Sequence, residues 1–301
     1  MSFYVAAYDT EAIYPWWKLG DRKYSAELYQ KAVSYEREAL QHCLAGVRAV
    51  VEVHLRHNAP ATFFLVGKLL EHARSELRSI LDCPIFDLQC HSYTHANLTE
   101  IAEDEVALKH ELVDSKRLIE DTFGRPVIGL TSPGGFARGL LGHKQVLRAI
   151  GDAGYRYVRS MGLGPFDTQP APLTQPFWYE RDGFPDLLEL GLHAWHDNHL
   201  TGQPCVTHWP PILPWGNPTG VPTTTVEAYQ AYAPGIDYVV QHNLLTYIPC
   251  LHPWSIYRFD PKAGHVELLL QHARKAATIA SCTSVYERVR MNRQLASECP
   301  A

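Results

Sequence analysis

Short apolar runs separated by long helical patterns set the limits on what this chain can become. Phe3-Tyr-Val-Ala-Ala-Tyr8, Ala61-Thr-Phe-Phe-Leu-Val66, Phe86-Asp-Leu-Gln-Cys90 and Val127-Ile-Gly-Leu130 are too short for buried helices. They read as strands covered on both faces. Tyr155 to Ser160, Leu187 to Leu190 and Ile248 to Leu251 read as further strands. Between them lie helical patterns over Ala26 to Arg56, Lys68 to Leu81, Thr99 to Phe123 and Lys144 to Ala153, the third closed by Gly124. Strands alternating with helices of this length form βαβ units and a parallel sheet. With this many units the expectation is an α/β fold whose sheet closes, or nearly closes, into a barrel. Val266 to Ile279 adds an amphipathic helix, and the last polar residues are expected to fray.

Chemistry-bearing residues stand where these strands stop. His91 and His95 follow Phe86–Cys90. Four apart on a helical turn, two side chains share a face about 5–6 Å apart at Cβ. Two imidazoles so placed can hold one cation at roughly 2.0–2.1 Å. On the residues alone, an ordinary surface pair is the equal alternative. Asp9 and Glu11 end the first strand. Two positions apart, both can face one cleft, although a helix cap plus a solvated glutamate is the plainer reading. His252 follows Ile248–Leu251 and is expected to emerge facing the same cleft. His54 and His57 close a helix and suit its dipole, so they read as structural. His193, His196 and His199 surround Asp197; they read as lining the cleft, with an undistinguished loop as the alternative.

The 301 residues are 46% hydrophobic and 20% charged, enough for a large core. A net charge of -5 gives no nucleic-acid footprint. Cys43, Cys83, Cys90, Cys205, Cys250, Cys282 and Cys299 show no paired spacing and read as reduced thiols. With no secretory pattern at the start and no apolar run near the ~18 residues of a membrane helix, a cytoplasmic protein without membrane contact is expected. No linker divides the chain, so residues 1–301 are expected to form one domain. Segment 198–236, rich in Pro and Gly and carrying Trp209 and Trp215, reads as a lid or substrate loop. Trp16 and Trp17 fit a sugar platform or a homo-oligomer interface equally well.

Taken together, Tyr8-Asp-Thr-Glu11, Ala61 to Gly67, His91-Ser-Tyr-Thr-His95, Gly124 to Gly135 and Leu251-His-Pro-Trp254 resemble, in order, the motifs of the polysaccharide deacetylase superfamily. This is the NodB-homology fold of carbohydrate esterase family 4. The resemblance implies a distorted (β/α) barrel of about seven strands and hydrolysis of a non-peptide C–N bond. It implies Asp9 as base, His252 as acid with Asp197 behind it, and Glu11, His91 and His95 as ligands of a divalent metal, zinc first. Trp254, Pro133 and Gly134, with Trp16 and Trp17, would meet a carbohydrate or small amide substrate.

Two departures stand out. The family's adjacent Asp-Asp is here Asp9-Thr10-Glu11, the pattern of a D-x-E branch. Thr131 also replaces the arginine that, in the family, pairs with the base. Without it, Asp9 is expected to depend on metal or burial for its ionisation. A metal-independent allantoinase-like amidohydrolase and a non-catalytic carbohydrate-binding relative are the alternatives.

Overall fold

A computed structural model describes residues 1–13, 34–201 and 212–298. Trp16, Trp17, Trp209, Cys205 and Cys299 lie outside the described residues. The strands are β1 (Phe3–Tyr4), β2 (Ala7–Thr10), β3 (Ala61–Leu65), β4 (Phe86–Cys90), β5 (Gly129–Phe136), β6 (Tyr157–Met161), β7 (Phe177–Tyr179), β8 (Phe184–Glu189), β9 (Thr246–Tyr247), β10 (Cys250–Leu251) and β11 (Thr278–Ile279). The main sheet runs β10-β2-β3-β4-β5-β6-β8, all parallel, with β7 antiparallel on the far side of β8. β1 and β2 follow one path, as do β9 and β10, and β1 pairs with β9 as β2 pairs with β10.

The remaining gap closes at one point. The chain beyond β8 brings His193 into parallel pairing with Pro249. The His193 N–H donates to the Ile248 carbonyl at 2.8 Å, and the Ile248 N–H donates back to His193 Nδ1 at 2.9 Å. Proline has no N–H to continue a ladder, and the imidazole extends the seam from the other side by serving as acceptor for the Ile248 N–H. Among the described residues, seven strand paths therefore surround one interior. His193 also bonds the Thr174 carbonyl through Nε2, at 2.6 Å. Both of its nitrogens serve the seam, and it takes no part in a cleft-lining cluster.

The helices cover this barrel. α1 (Arg37–Arg56) and α2 (Gly67–Leu81) follow β2 and β3. The buried His54 links Tyr8 Oη (2.8 Å) to the Ala59 carbonyl (3.0 Å), in the structural role read from the sequence. Inside the barrel, Val5, Ala7, Phe64, Tyr157, Leu188 and Ile248 form an apolar floor.

Three sequence expectations change. The helix expected from Thr99 starts later, because Asn97 turns back to accept from Thr99 N–H. Asp104 then caps α3 (Glu105–Lys109) by accepting from Val106 and Ala107 N–H. A π-turn over His110–Asp114 joins it to α4 (Ser115–Phe123), which ends at Gly124 with φ 66°. α5 (Lys144–Asp152) matches its expected place. Segment 198–236 is not one long loop. After the short α6 (Asp197–Leu200), it contains most of α7 (Thr225–Gln241), which opens on a Thr224/Glu227 capping box. Pro234-Gly235 disguised this helix. Gly235 lets α7 lie on the Tyr247 ring, which a Cβ there would meet at 2.3 Å. Gly235→Ala is expected to cost about 1–3 kcal/mol by overpacking, read as a lower melting temperature. Finally, α8 (Pro253–Phe259) and α9 (Gly264–Ala276) lead through β11 to α10 (Cys282–Glu298), so the tail is helical through Glu298. Among the described residues no helix is long and apolar enough to cross a membrane.

Candidate active site

Five of the residues singled out at strand ends meet at the mouth of the barrel. Glu11, one residue beyond β2, sits at the centre. Its Oε2 lies 2.9 Å from His95 Nε2 and 4.0 Å from His91 Nε2, and its Oε1 lies 3.6 Å from His252 Nε2. All four side chains are nearly or fully buried. Burial alone would favour a neutral Glu11 carboxyl. The imidazoles around it, His95 first, hold it well below the usual carboxylate range instead.

His91 and His95 are close, with ring centroids 4.8 Å apart and the rings nearly perpendicular. They do not stand on a helical turn, however. The chain loops, with φ 60° at Ser92 and 67° at His95. Glu111 secures this loop by accepting from Tyr93 N–H, Thr94 N–H and Thr94 Oγ1 at 2.6–2.9 Å. The π-turn in which Glu111 lies gives that carboxylate its place, a usual site for such a turn. Sequence reading missed Glu111, because nothing in a lone glutamate on a helix announces it.

His91 Nδ1 bonds the Thr131 carbonyl at 2.9 Å. A carbonyl only accepts, so the proton sits on Nδ1 and Nε2 keeps its lone pair toward Glu11. Glu11, His91 and His95 offer ligand atoms within 4.8 Å of one another. One carboxylate and two imidazoles, with one tautomer fixed by a backbone carbonyl, fit a divalent cation such as zinc.

Asp9 and Cys250 lie beside this set. Asp9 Oδ1 is 3.1 Å from Arg159 Nη1, and Cys250 Sγ donates to Asp9 Oδ2 at 3.3 Å. Asp9 therefore does have a cationic partner, contrary to the expectation drawn from Thr131. Arg159 comes from β6, where it is the register partner of Thr131 on β5. Its Nη1 also donates to Thr131 Oγ1 at 2.9 Å, and its guanidinium lies 4.8 Å from the Phe64 ring centroid. The cation beside Asp9 thus comes from the strand next to the one on which the resemblance places an arginine, and Thr131 accepts from it. Burial opposes the charge on Asp9; Arg159 first, then His91 and His252, keep its pKa below the ordinary value. Sequence reading did not single out Arg159, one of two arginines in the expected strand Tyr155 to Ser160.

His252 follows β10. Its Nδ1 lies 2.6 Å from Asp197 Oδ1, and its backbone N–H donates to Asp197 Oδ2 at 3.1 Å. Asp197 opens α6, so the geometry brings it to the imidazole that sequence reading paired it with. Burial pulls the His252 pKa down, but Asp197 outweighs it and raises the value to about 9. The ring of His196 lies 6.2 Å from that of His252 and 5.8 Å from that of His199. Burial lowers the pKa values of His196 and His199, so both stay neutral.

Trp254 is fully buried and donates its indole N–H to Glu11 Oε1 at 3.2 Å. It braces the carboxylate and offers no ring face to a substrate. Pro133 is buried, while Gly134 is exposed with φ 85° on the segment after Thr131.

The mouth of this α/β barrel thus gathers two buried carboxylates, Asp9 and Glu11, and three imidazoles, His91, His95 and His252. Residues 45–158 match the polysaccharide deacetylase family model, and over that span the chain is similar to that family. The matched span holds His91, His95 and Thr131 but stops short of Arg159, and it excludes Asp9, Glu11 and His252. A search of curated proteins found no match. Among solved structures, a Mycobacterium smegmatis protein assigned to the polysaccharide deacetylases aligns with a TM-score of 0.65 at 18% identity, covering 97% of this chain and 91% of its own. Puue allantoinase aligns at 0.60 and 13%, covering 95% and 88%. A Pseudomonas aeruginosa PAO1 protein, also assigned to the polysaccharide deacetylases, aligns at 0.59 and 14%, covering 95% and 89%. At these identities the likeness is one of fold.

Proposed function

We propose that this protein is a metal-dependent hydrolase of a non-peptide C–N bond, acting on an N-acylated sugar or a small amide. The carrying observation is Glu11, whose carboxylate lies within 4.0 Å of the Nε2 atoms of His91, His95 and His252. Glu11, His91 and His95 hold the cation. When bound, it supplies Lewis acidity, which polarises an acyl oxygen and acidifies water. Asp9, kept ionised by Arg159, takes a proton from the attacking water. His252, kept protonated by Asp197, gives a proton to the leaving nitrogen. Asp197 also fixes the orientation of that ring through two bonds. The non-catalytic alternative is disfavoured, because Arg159 supplies from the next strand the cation missing at position 131. The test is metal analysis of the purified protein together with acetate and ammonia release from a panel of N-acetyl sugars, amides and imides. Turnover that survives complete metal removal would refute the metal-dependent reading.

A pH dependence follows. The His252 pKa is raised, so its proton is retained through neutral pH and lost as pH climbs through about 9. The linked folding stability is complete below about 6.5 and disappears over the same climb. Asp197→Asn removes the charge that raises this pKa. The alkaline limb of kcat/KM is therefore expected to move to lower pH; an unmoved limb would remove Asp197 from this role.

A further inference from the structure

A second group of ligand atoms shares the cleft. Asp9, Cys250 and His252 each contribute one, and the three lie within 4.8 Å of one another. Their other polar atoms are occupied: Arg159 takes Asp9 Oδ1, and Asp197 takes His252 Nδ1. That leaves Oδ2, Sγ and the second imidazole nitrogen. The 3.3 Å between Cys250 Sγ and Asp9 Oδ2 is close to the separation of two ligands on a tetrahedral ion with bonds of about 2.0–2.3 Å. Each residue is at most 4% exposed. Carboxylate, thiolate and imidazole together suit zinc or cadmium; magnesium and calcium take oxygen.

We infer that Asp9, Cys250 and His252 form a second, inhibitory site for a thiophilic divalent cation, its ligands distinct from Glu11, His91 and His95. On binding, the metal forms bonds to Cys250 Sγ, His252 Nε2 and Asp9 Oδ2, the Cys250 thiol proton and the His252 Nε2 proton leave to solvent, and no group changes oxidation state. The site fills after the first one, because the thiol proton and the His252 proton must be displaced and the Arg159 cation stands behind Asp9. Glu11 Oε1, 3.6 Å from His252 Nε2, joins the two sets into one cleft. Ligation uses the Asp9 and His252 lone pairs, so the base and the acid are silenced together. The inhibition rests on the roles proposed above for Asp9 and His252; the binding does not.

The test is a cadmium titration of the full chain, followed by the ultraviolet sulfur-to-cadmium charge-transfer band and by bound metal per chain. Two ions are expected, with the band developing as the second binds. His91→Ala should lose the first ion and keep the band. Cys250→Ala and Cys250→Ser, two variants in case one folds poorly, should both lose the band and keep one ion. One cadmium without a band, or a band persisting in both Cys250 variants, would overturn the site. In parallel, excess zinc should abolish wild-type turnover and spare more of each Cys250 variant's own one-zinc rate. A rise in turnover with the second equivalent would overturn the inhibitory assignment. If no tested substrate is turned over, the hydrolase reading fails, while the cadmium titration still decides the site.

Discussion

His91→Ala is expected to lose both bound metal and turnover, whereas His252→Ala loses turnover alone. The two imidazoles differ in what holds them. His91 has its Nδ1 proton on the Thr131 carbonyl and leaves Nε2 to the cation set around Glu11. His252 has a carboxylate on Nδ1, which stabilises its protonated form, the form of an acid. Removing a general acid costs about 10²–10⁴-fold in kcat. The loss should shrink for substrates whose leaving nitrogen needs no proton. Elemental analysis beside steady-state kinetics checks both variants. If His252→Ala lost its metal at one equivalent, His252 would join the ligands and the division of labour would fall.

Arg159→Met is expected to have the other large effect, on stability and catalysis together. Arg159 is fully buried, and its nearest anion is Asp9. Breaking a buried ion pair by removing one partner typically costs about 3–5 kcal/mol, because the other charge stays behind unpaired. Asp9 would then be driven toward its neutral form, which cannot accept a proton. Thr131→Arg alone places a second cation within reach of the first and should lower activity or leave it unchanged. The double variant Thr131→Arg/Arg159→Thr returns one cation to the cleft from the neighbouring strand. It is expected to recover part of the turnover lost in Arg159→Met, with metal content intact in all three. Full activity in Arg159→Met would show that Asp9 needs no cation, and a dead but folded double variant would show that the strand of origin matters.

Sequence by itself determined the order of strands and helices and most of the strand positions, because short apolar runs bounded by polar turns have few other uses. Phe86–Cys90 was read residue for residue. It also determined which strand ends carry acids and imidazoles, since HxxxH, D-x-E and the late histidine are local patterns. Tertiary structure alone decided what those residues touch. The Arg159–Asp9 pair joins positions 150 residues apart, and an arginine within a strand has no local signature of its partner. Glu111 braces the histidine loop only because a π-turn rotates it there. α7 survives Pro234-Gly235 because packing on Tyr247 uses the missing Cβ. The barrel closes at His193 and Pro249 because the His193 imidazole stands in for a backbone acceptor to the Ile248 N–H. In each case a contact distant in sequence outweighed the local preference.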